Sequence, residues 1–143
     1  MSKLHAMSRR VAAVTTSTII DHRMFMLVDE EQPGAEPAMP HDSGDWVSAG
    51  PAAVLVESPY DSYDAMLRLE EWDAEPERDG EQWDDVVDVT VAWPTGKIRL
   101  NQITAGYEDT GFALTGPGSY HVRLACRQTD EEEYLVQFWP AAG

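Results

Sequence analysis

Hydrophobic residues in this chain recur mostly at every second position. Val87, Val89, Val91 and Trp93 alternate with Asp88, Thr90 and Ala92, the period of a strand with one buried face. Residues 63–70 repeat the pattern, with Ala65, Leu67 and Leu69 on one side and Met66, Arg68 and Glu70 on the other. Tyr120, Val122, Leu124 and Cys126 alternate with His121, Arg123, Ala125 and Arg127, and Tyr134, Val136 and Phe138 with Leu135, Gln137 and Trp139. Residues 97–102 turn Ile98 and Leu100 inward after the turn Pro94-Thr95-Gly96. Residues 52–57 form a short apolar strand, and 112–114 another before Gly116-Pro117-Gly118. The β-branched and apolar runs 11–16 and 24–28 read as two strands, or as one strand bent at a bulge. Seven to nine short strands with almost no helical period predict an all-β protein. The expected fold is an antiparallel β-sandwich, jelly-roll-like, with a partly open β-barrel as the alternative.

Between these runs the composition changes. Residues 29–50 carry Pro33, Pro37, Pro40, Gly34, Gly44 and Gly50 among acidic and small residues, which breaks both ladders and helices. A long irregular loop is expected there, with Trp46 as its anchor. Residues 72–81, with Pro76 and Gly80, read as a solvated hairpin loop, the larger part of an acidic loop over 72–85. A length of 143 residues and 43% hydrophobic content suit a single domain, 1–143, with one core.

Charge is the strongest compositional signal. From Glu57 to Asp88 there are thirteen carboxylates against Arg68 and Arg78, so −11 of the chain's −16 lies in this stretch. A surface so far from neutrality repels nucleic acid and anionic membranes and attracts basic partners at low salt. Cys126 is the only cysteine, which rules out an intramolecular disulfide and a four-thiolate zinc site and points to a reducing compartment. No apolar run reaches the roughly 20 residues of a membrane helix, and residues 1–10 lack the apolar centre of a secretory signal. A cytoplasmic location is the expectation.

Recognisable catalytic constellations are missing. His5, His22, His41 and His121 share no short ligand spacing. Asp21-His22 and His41-Asp42 remain the candidates for a metal site assembled in space, with capping or solvated polar residues as the simpler reading. Gly96-Lys97 lacks the upstream glycine and the following Ser or Thr of a phosphate loop, because Val91 and Ile98 stand there. Asp79-Gly80-Glu81 is a turn rather than a calcium loop. The abundant acids lie in polar stretches that would not drive their pKa values apart, as paired carboxylate catalysis requires. Cys126 falls on an inward strand position, where a protonated, structural thiol is expected. Lys97, Arg99, His121, Arg123 and Arg127 face outward on two late strands. Side by side these would form a basic stripe, which binds an anion or pairs with Asp88 and its neighbours. No cofactor is implied.

Trp46, Trp72 and Trp83 stand in or beside the acidic segments; buried anchors that pin the loops are the simpler reading, and aromatic residues among carboxylates are also the composition of a protein-binding surface. The candidate contact residues are therefore Glu70, Glu71, Trp72, Asp73, Glu75, Glu77, Asp79, Glu81, Trp83, Asp84 and Asp85.

Residues 86–139 carry an alternating strand Val87-Asp88-Val89-Thr90-Val91, a turn with Gly96, and the strand Lys97-Ile98-Arg99-Leu100. Gly118-Ser119-Tyr120 then opens a strand, and an apolar strand closes the segment at Trp139. This order of elements resembles that of the competence protein J family, small proteins that inhibit a partner nuclease. The resemblance implies an inhibitor of a basic protein, and the acidic charge independently suits an inhibitor or immunity protein that caps a nuclease or nucleic-acid-binding partner without touching nucleic acid itself. Two readings compete with this acidic binding module. One is a small β-jelly-roll ligand-binding or metal-dependent enzyme domain using His22 or His41, and the other is a structural domain whose charge serves solubility.

Overall fold

Alternation becomes strand wherever the sequence marks it. The computed structural model describes residues 8–20, 22–31, 45–59, 62–77, 83–102, 106–128 and 132–141. Among them it forms β1 (Arg10–Ile20), β2 (Met24–Asp29), β3 (Val47–Gly50), β4 (Ala53–Glu57), β5 (Ser62–Trp72), β6 (Asp85–Trp93), β7 (Lys97–Asn101), β8 (Tyr107–Ala113), β9 (Gly118–Gln128) and β10 (Glu132–Pro140). β1 and β2 are separate strands in different sheets. Between them His22 and Arg23 adopt φ of 55° and 60°, the left-handed conformation that lets a tight turn reverse the chain.

The first sheet runs β1-β5-β10-β9-β6 and the second β3-β4-β2-β7-β8. Every neighbouring pair is antiparallel except β5 and β10, which run parallel with Tyr134 opposite Leu67 and Val136 opposite Leu69. Both sheets are thus antiparallel-dominated, as expected of an antiparallel β-sandwich, with this pair the one departure. Two strands far apart in sequence meet in the middle of a sheet, where no hairpin dictates their direction. The sheets face each other in a sandwich-like arrangement, and no ladder joins them among the described residues.

Leu67, Leu69, Val122, Leu124, Val136 and Phe138 from the first sheet meet Phe25, Leu27, Val54, Val56, Ile98, Leu100 and Phe112 from the second. The ring of Phe25 meets Tyr134 edge-on at 5.2 Å, and Phe112 lies 5.5 Å from Phe138. Each such burial is worth about 1.5–3 kcal/mol against exposure. β2 and β4 are buried on both faces, since Met26, Val28, Ala53 and Leu55 make a second apolar cluster on the side away from this core. That explains why residues 24–28 and 52–57 read as unbroken apolar runs rather than alternating ones.

β3 is the strand that the sequence assigns to loop. Val47-Ser48-Ala49-Gly50 has no strand signature of its own, and forms because β4 pairs with it from Val47 opposite Val56 to Gly50 opposite Ala53. The expected irregular loop is therefore corrected at residues 47–50, while 32–44 lie outside the described residues. No helix among the described residues is long and apolar enough to cross a membrane.

Candidate protein-binding surface

The acidic connection between β5 and β6 joins two strands that are not neighbours in their sheet. β10 and β9 lie between those two strands, and the described residues 73–77 run over the outer face of the first sheet, where Glu75 and Pro76 meet Arg123 of β9. The expected hairpin loop is corrected on this ground, because strands that are not neighbours cannot share one. Residues 73–77 are pinned along the crossing. Asp73 exchanges hydrogen bonds with Arg9, its Oδ1 accepting from Arg9 N at 2.8 Å while its own N donates to Arg9 O at 3.0 Å.

Arg123 on β9, only 7% exposed, holds the middle of the crossing. Its guanidinium donates to Asp88 Oδ1 (3.0 Å) and Oδ2 (3.3 Å), to Glu75 Oε2 (2.7 Å) and to the carbonyl of Pro76 (3.3 Å). Burial alone would lower its pKa, but the bonds and charges of Asp88 and Glu75 outweigh it and hold the group still more firmly protonated. The guanidinium also lies 4.9 Å from the ring centroid of Trp139, a cation–π contact that fixes its plane.

The proposed contact residues divide into two sets. Glu70 and Glu71 are 4% and 3% exposed. Glu70 accepts from Arg68 Nε and Trp72 Nε1 at 2.9 Å and from Gln137 Nε2 at 3.0 Å, while Glu71 points inward and accepts from Thr115 N at 3.0 Å. Both carboxylates are used inside the fold. Asp73, Glu75, Glu77, Asp84 and Asp85 are exposed, and Trp72 and Trp83 half-buried. Asp79 and Glu81 lie outside the described residues. Even some exposed acids have structural work: Asp84 Oδ2 accepts from Gln128 N at 2.7 Å, and Asp85 Oδ2 from Trp46 Nε1 at 2.9 Å. Trp46, which also lies 6.3 Å from the Tyr134 ring, thus ties the segment before β3 to the first sheet.

Beside this segment the outer face holds a cleft of about 180 Å³, lined by Met66, Arg68, Trp83, Arg127, Glu133 and Leu135 among others. Arg127 stacks 4.4 Å from the Trp83 ring and pairs with Glu133 at 2.7 Å. Met66 remains 42% exposed. An aromatic, an exposed methionine and arginines next to a field of carboxylates make a surface of the kind that protein partners use. Sequence reasoning places Met66, Leu135 and Arg127 on outward faces but not together, because their strands' neighbours are unknown until the sheet order is.

The basic stripe does not form. β7 and β9 belong to different sheets, so Lys97 and Arg99 stand apart from His121, Arg123 and Arg127. Lys97 pairs with Glu30 at 3.8 Å, and Arg99 stacks 5.5 Å from Tyr107. Arg123 takes the alternative expected of it and pairs with Asp88. The turn Pro94-Thr95-Gly96 also has an internal use. The N–H groups of Thr95 and Gly96, placed as if to hold an anion, hold the buried carboxylate of Asp29 at 3.1 and 2.9 Å.

His22 is exposed in its turn, His41 lies outside the described residues, and His121 Nδ1 is 3.1 Å from Thr90 Oγ1. Among the described residues no three or more His, Cys, Asp and Glu side chains are grouped to hold a metal ion. Cys126 is half-buried against the core. Burial, with Asp85 and Asp84 adding their charge, pushes its thiol up to about 11. A buried network at the same end joins Glu132 to the hydroxyls of Ser58 and Tyr134 and, at 3.2 Å, to Gln128 Nε2. Burial pushes the Tyr134 phenol upward, and its bond to the Glu132 carboxylate adds to the shift.

No protein-family model and no curated protein matches the sequence. Among solved structures, the crystal structure of ComJ from Bacillus subtilis, an inhibitor of the DNA-degrading activity of NucA, superposes with a TM-score of 0.69 at 13% identity. That match covers 94% of this chain and 99% of ComJ. A protein described as crocagin biosynthetic gene J gives a TM-score of 0.63, also at 13% identity, over 92% of this chain and 98% of that one. The likeness that the sequence carries over residues 86–139 therefore extends through nearly the whole fold, and the chain shares the architecture of the nuclease inhibitor ComJ.

Proposed function

We propose that this protein is a non-catalytic binding module that occupies an electropositive surface on a protein partner, a nuclease or nucleic-acid-binding protein. One observation carries the reading: exposed carboxylates of Asp73, Glu75, Glu77 and Asp84 between β5 and β6, with Asp85 and Asp88 on β6 itself, lie beside the Trp83–Met66 cleft on the first sheet. A site that holds phosphates must be positive, so such an acidic face complements it and accelerates encounter. Direct binding of nucleic acid is opposed by the net charge of −16. The likeness to ComJ, itself an inhibitor of a DNA-degrading activity, supports the same direction. A lone, protonated thiol suits the reducing cytoplasm as the place of action.

The test is to retain partners from the native cell on the immobilised chain at low ionic strength, identify them by mass spectrometry, and follow association by stopped flow. Asp73→Lys with Glu77→Lys should slow association about tenfold at low salt, and the difference should shrink as salt screens it. Equal on-rates at low salt would remove the acidic face from the contact.

A further inference from the structure

Among the described residues four strand edges bound the two sheets: β1 and β6 on the first, β3 and β8 on the second. A free edge offers unpaired N–H and C=O groups to any passing strand, and natural edges are blunted by shortness, charge, proline or a bulge. β3 has four residues. β8 carries Glu108 and Asp109, and its ladder with β7 shifts between Ile98 and Arg99. β6 opens on Asp85 and carries Asp88. β1 has eleven residues, and from Val11 to Ile20 none is charged and none is proline. Its register shifts lie at its two ends, between Arg10 and Ala12 and between Thr18 and Ile20.

The open stretch can be located more closely. Near its end the edge is closed by Gln102, whose Oε1 accepts from Ile19 N at 2.9 Å and from the Thr18 hydroxyl at 3.3 Å. No strand among the described residues pairs with the free side of 11–17. The inward residues there are poorly covered: Val14 and Thr16 are only half-buried, whereas Leu69 and Leu67 directly opposite them on β5 are wholly buried. A strand laid against β1 would complete that cover. On the other face Val11, at 51% exposure, and Ala13, Thr15 and Ser17 are exposed, small and uncharged, and would not obstruct it.

We propose that β1 pairs antiparallel with β1 of a second copy of this chain, joining two first sheets across a two-fold axis. Charge selects the occupant. A molecule of net charge −16 repels its own copy wherever carboxylates face outward, and residues 10–20 contain none. The strand is entered through Arg9 and Arg10, both exposed; Arg10 reaches Glu70 at 3.5 Å, and Arg9 adds a positive charge that favours an acidic copy over a basic partner. A two-fold contact is self-complementary, so one unguarded strand suffices for it.

Sedimentation equilibrium on the full chain tests this, from about 1 to 200 μM at about 0.3 M salt to screen self-repulsion. The expected mass at the upper end is twice 15.9 kDa. Ala13→Glu with Thr15→Glu, both at exposed positions, should weaken dimerisation at least about tenfold. Ala113→Glu on the β8 edge should leave it unchanged. Hydrogen–deuterium exchange on the unaltered chain gives a second readout, with the amides of 11–17 slowing as concentration rises. A monomer mass at every concentration overturns the proposal. So does a dimer indifferent to the β1 variant, or one whose 11–17 amides exchange equally fast at all concentrations.

Discussion

Asp29→Ala is expected to destabilise the protein by about 3–5 kcal/mol, a large share of the 5–15 kcal/mol that holds a typical domain folded. The carboxylate ends β2, is 1% exposed, and ties that strand to the turn before β7. It accepts from Gly96 N (2.9 Å), Thr95 N (3.1 Å), the Thr95 hydroxyl (2.9 Å) and Glu31 N (2.9 Å). Removing it returns the exposed Glu31 N–H to water but strands the donors of buried Gly96 and half-buried Thr95. Each stranded donor costs about 1–3 kcal/mol, and the lost charge-assisted bonds add to that. Asp29→Asn keeps the volume and one acceptor, and should cost about 1–3 kcal/mol.

Urea unfolding followed by tryptophan fluorescence measures both variants, with the slope unchanged if only the folded state is affected. The acid limb offers a second check. Burial pushes the Asp29 carboxyl up, but the bonds from Glu31, Gly96 and Thr95 outweigh it and hold the folded pKa below 3.8. Stability from this group is therefore complete above about pH 3.8 and lost as pH falls through the lower folded value. The Asn variant should lack that part of the loss. An Asp29→Asn protein within about 0.5 kcal/mol of the original at pH 7 would refute the account of this turn.

Two further outcomes follow from the crossing segment and the core. Glu75→Lys places a cation against Arg123 and should cost about 1–2 kcal/mol, whereas Glu77→Lys on the same exposed segment should stay within about 0.5 kcal/mol in thermal or urea melts; equal effects would mean that Arg123 does not pin the crossing. The Cys126 thiol, with a folded pKa of about 11 against the ordinary 9.0, should label with a thiol reagent at pH 8 at least about tenfold more slowly than in the denatured chain. Its contribution to stability should be intact below pH 9 and fall away as pH rises towards 11, and Cys126→Ala should show a shallower alkaline loss.

Period-two patterning determined most of the strands, because alternation records which face of a sheet meets the core. Residues 63–70, 87–93 and 120–127 reappear inside β5, β6 and β9 with the expected faces: Leu67, Leu69, Val91, Val122 and Leu124 are buried, and Cys126 packs partly against them. The resemblance to the nuclease-inhibitor family was likewise legible from the order of elements over 86–139. β3 was not, because Val47-Ser48-Ala49-Gly50 owes its strand to β4 rather than to its own residues. Neither was sheet order. Which strands neighbour one another depends on contacts between residues far apart in sequence, and that order decided three things alternation alone could not. It placed β5 parallel to β10, it sent the acidic segment across the sheet as a pinned crossing instead of a hairpin, and it separated Lys97 and Arg99 from Arg123. The sequence by itself determined that this molecule would be acidic and β-sheeted. The tertiary structure decided which carboxylates face outward and which, such as Glu70, Glu71 and Asp29, are held inside by donors brought from distant strands and turns.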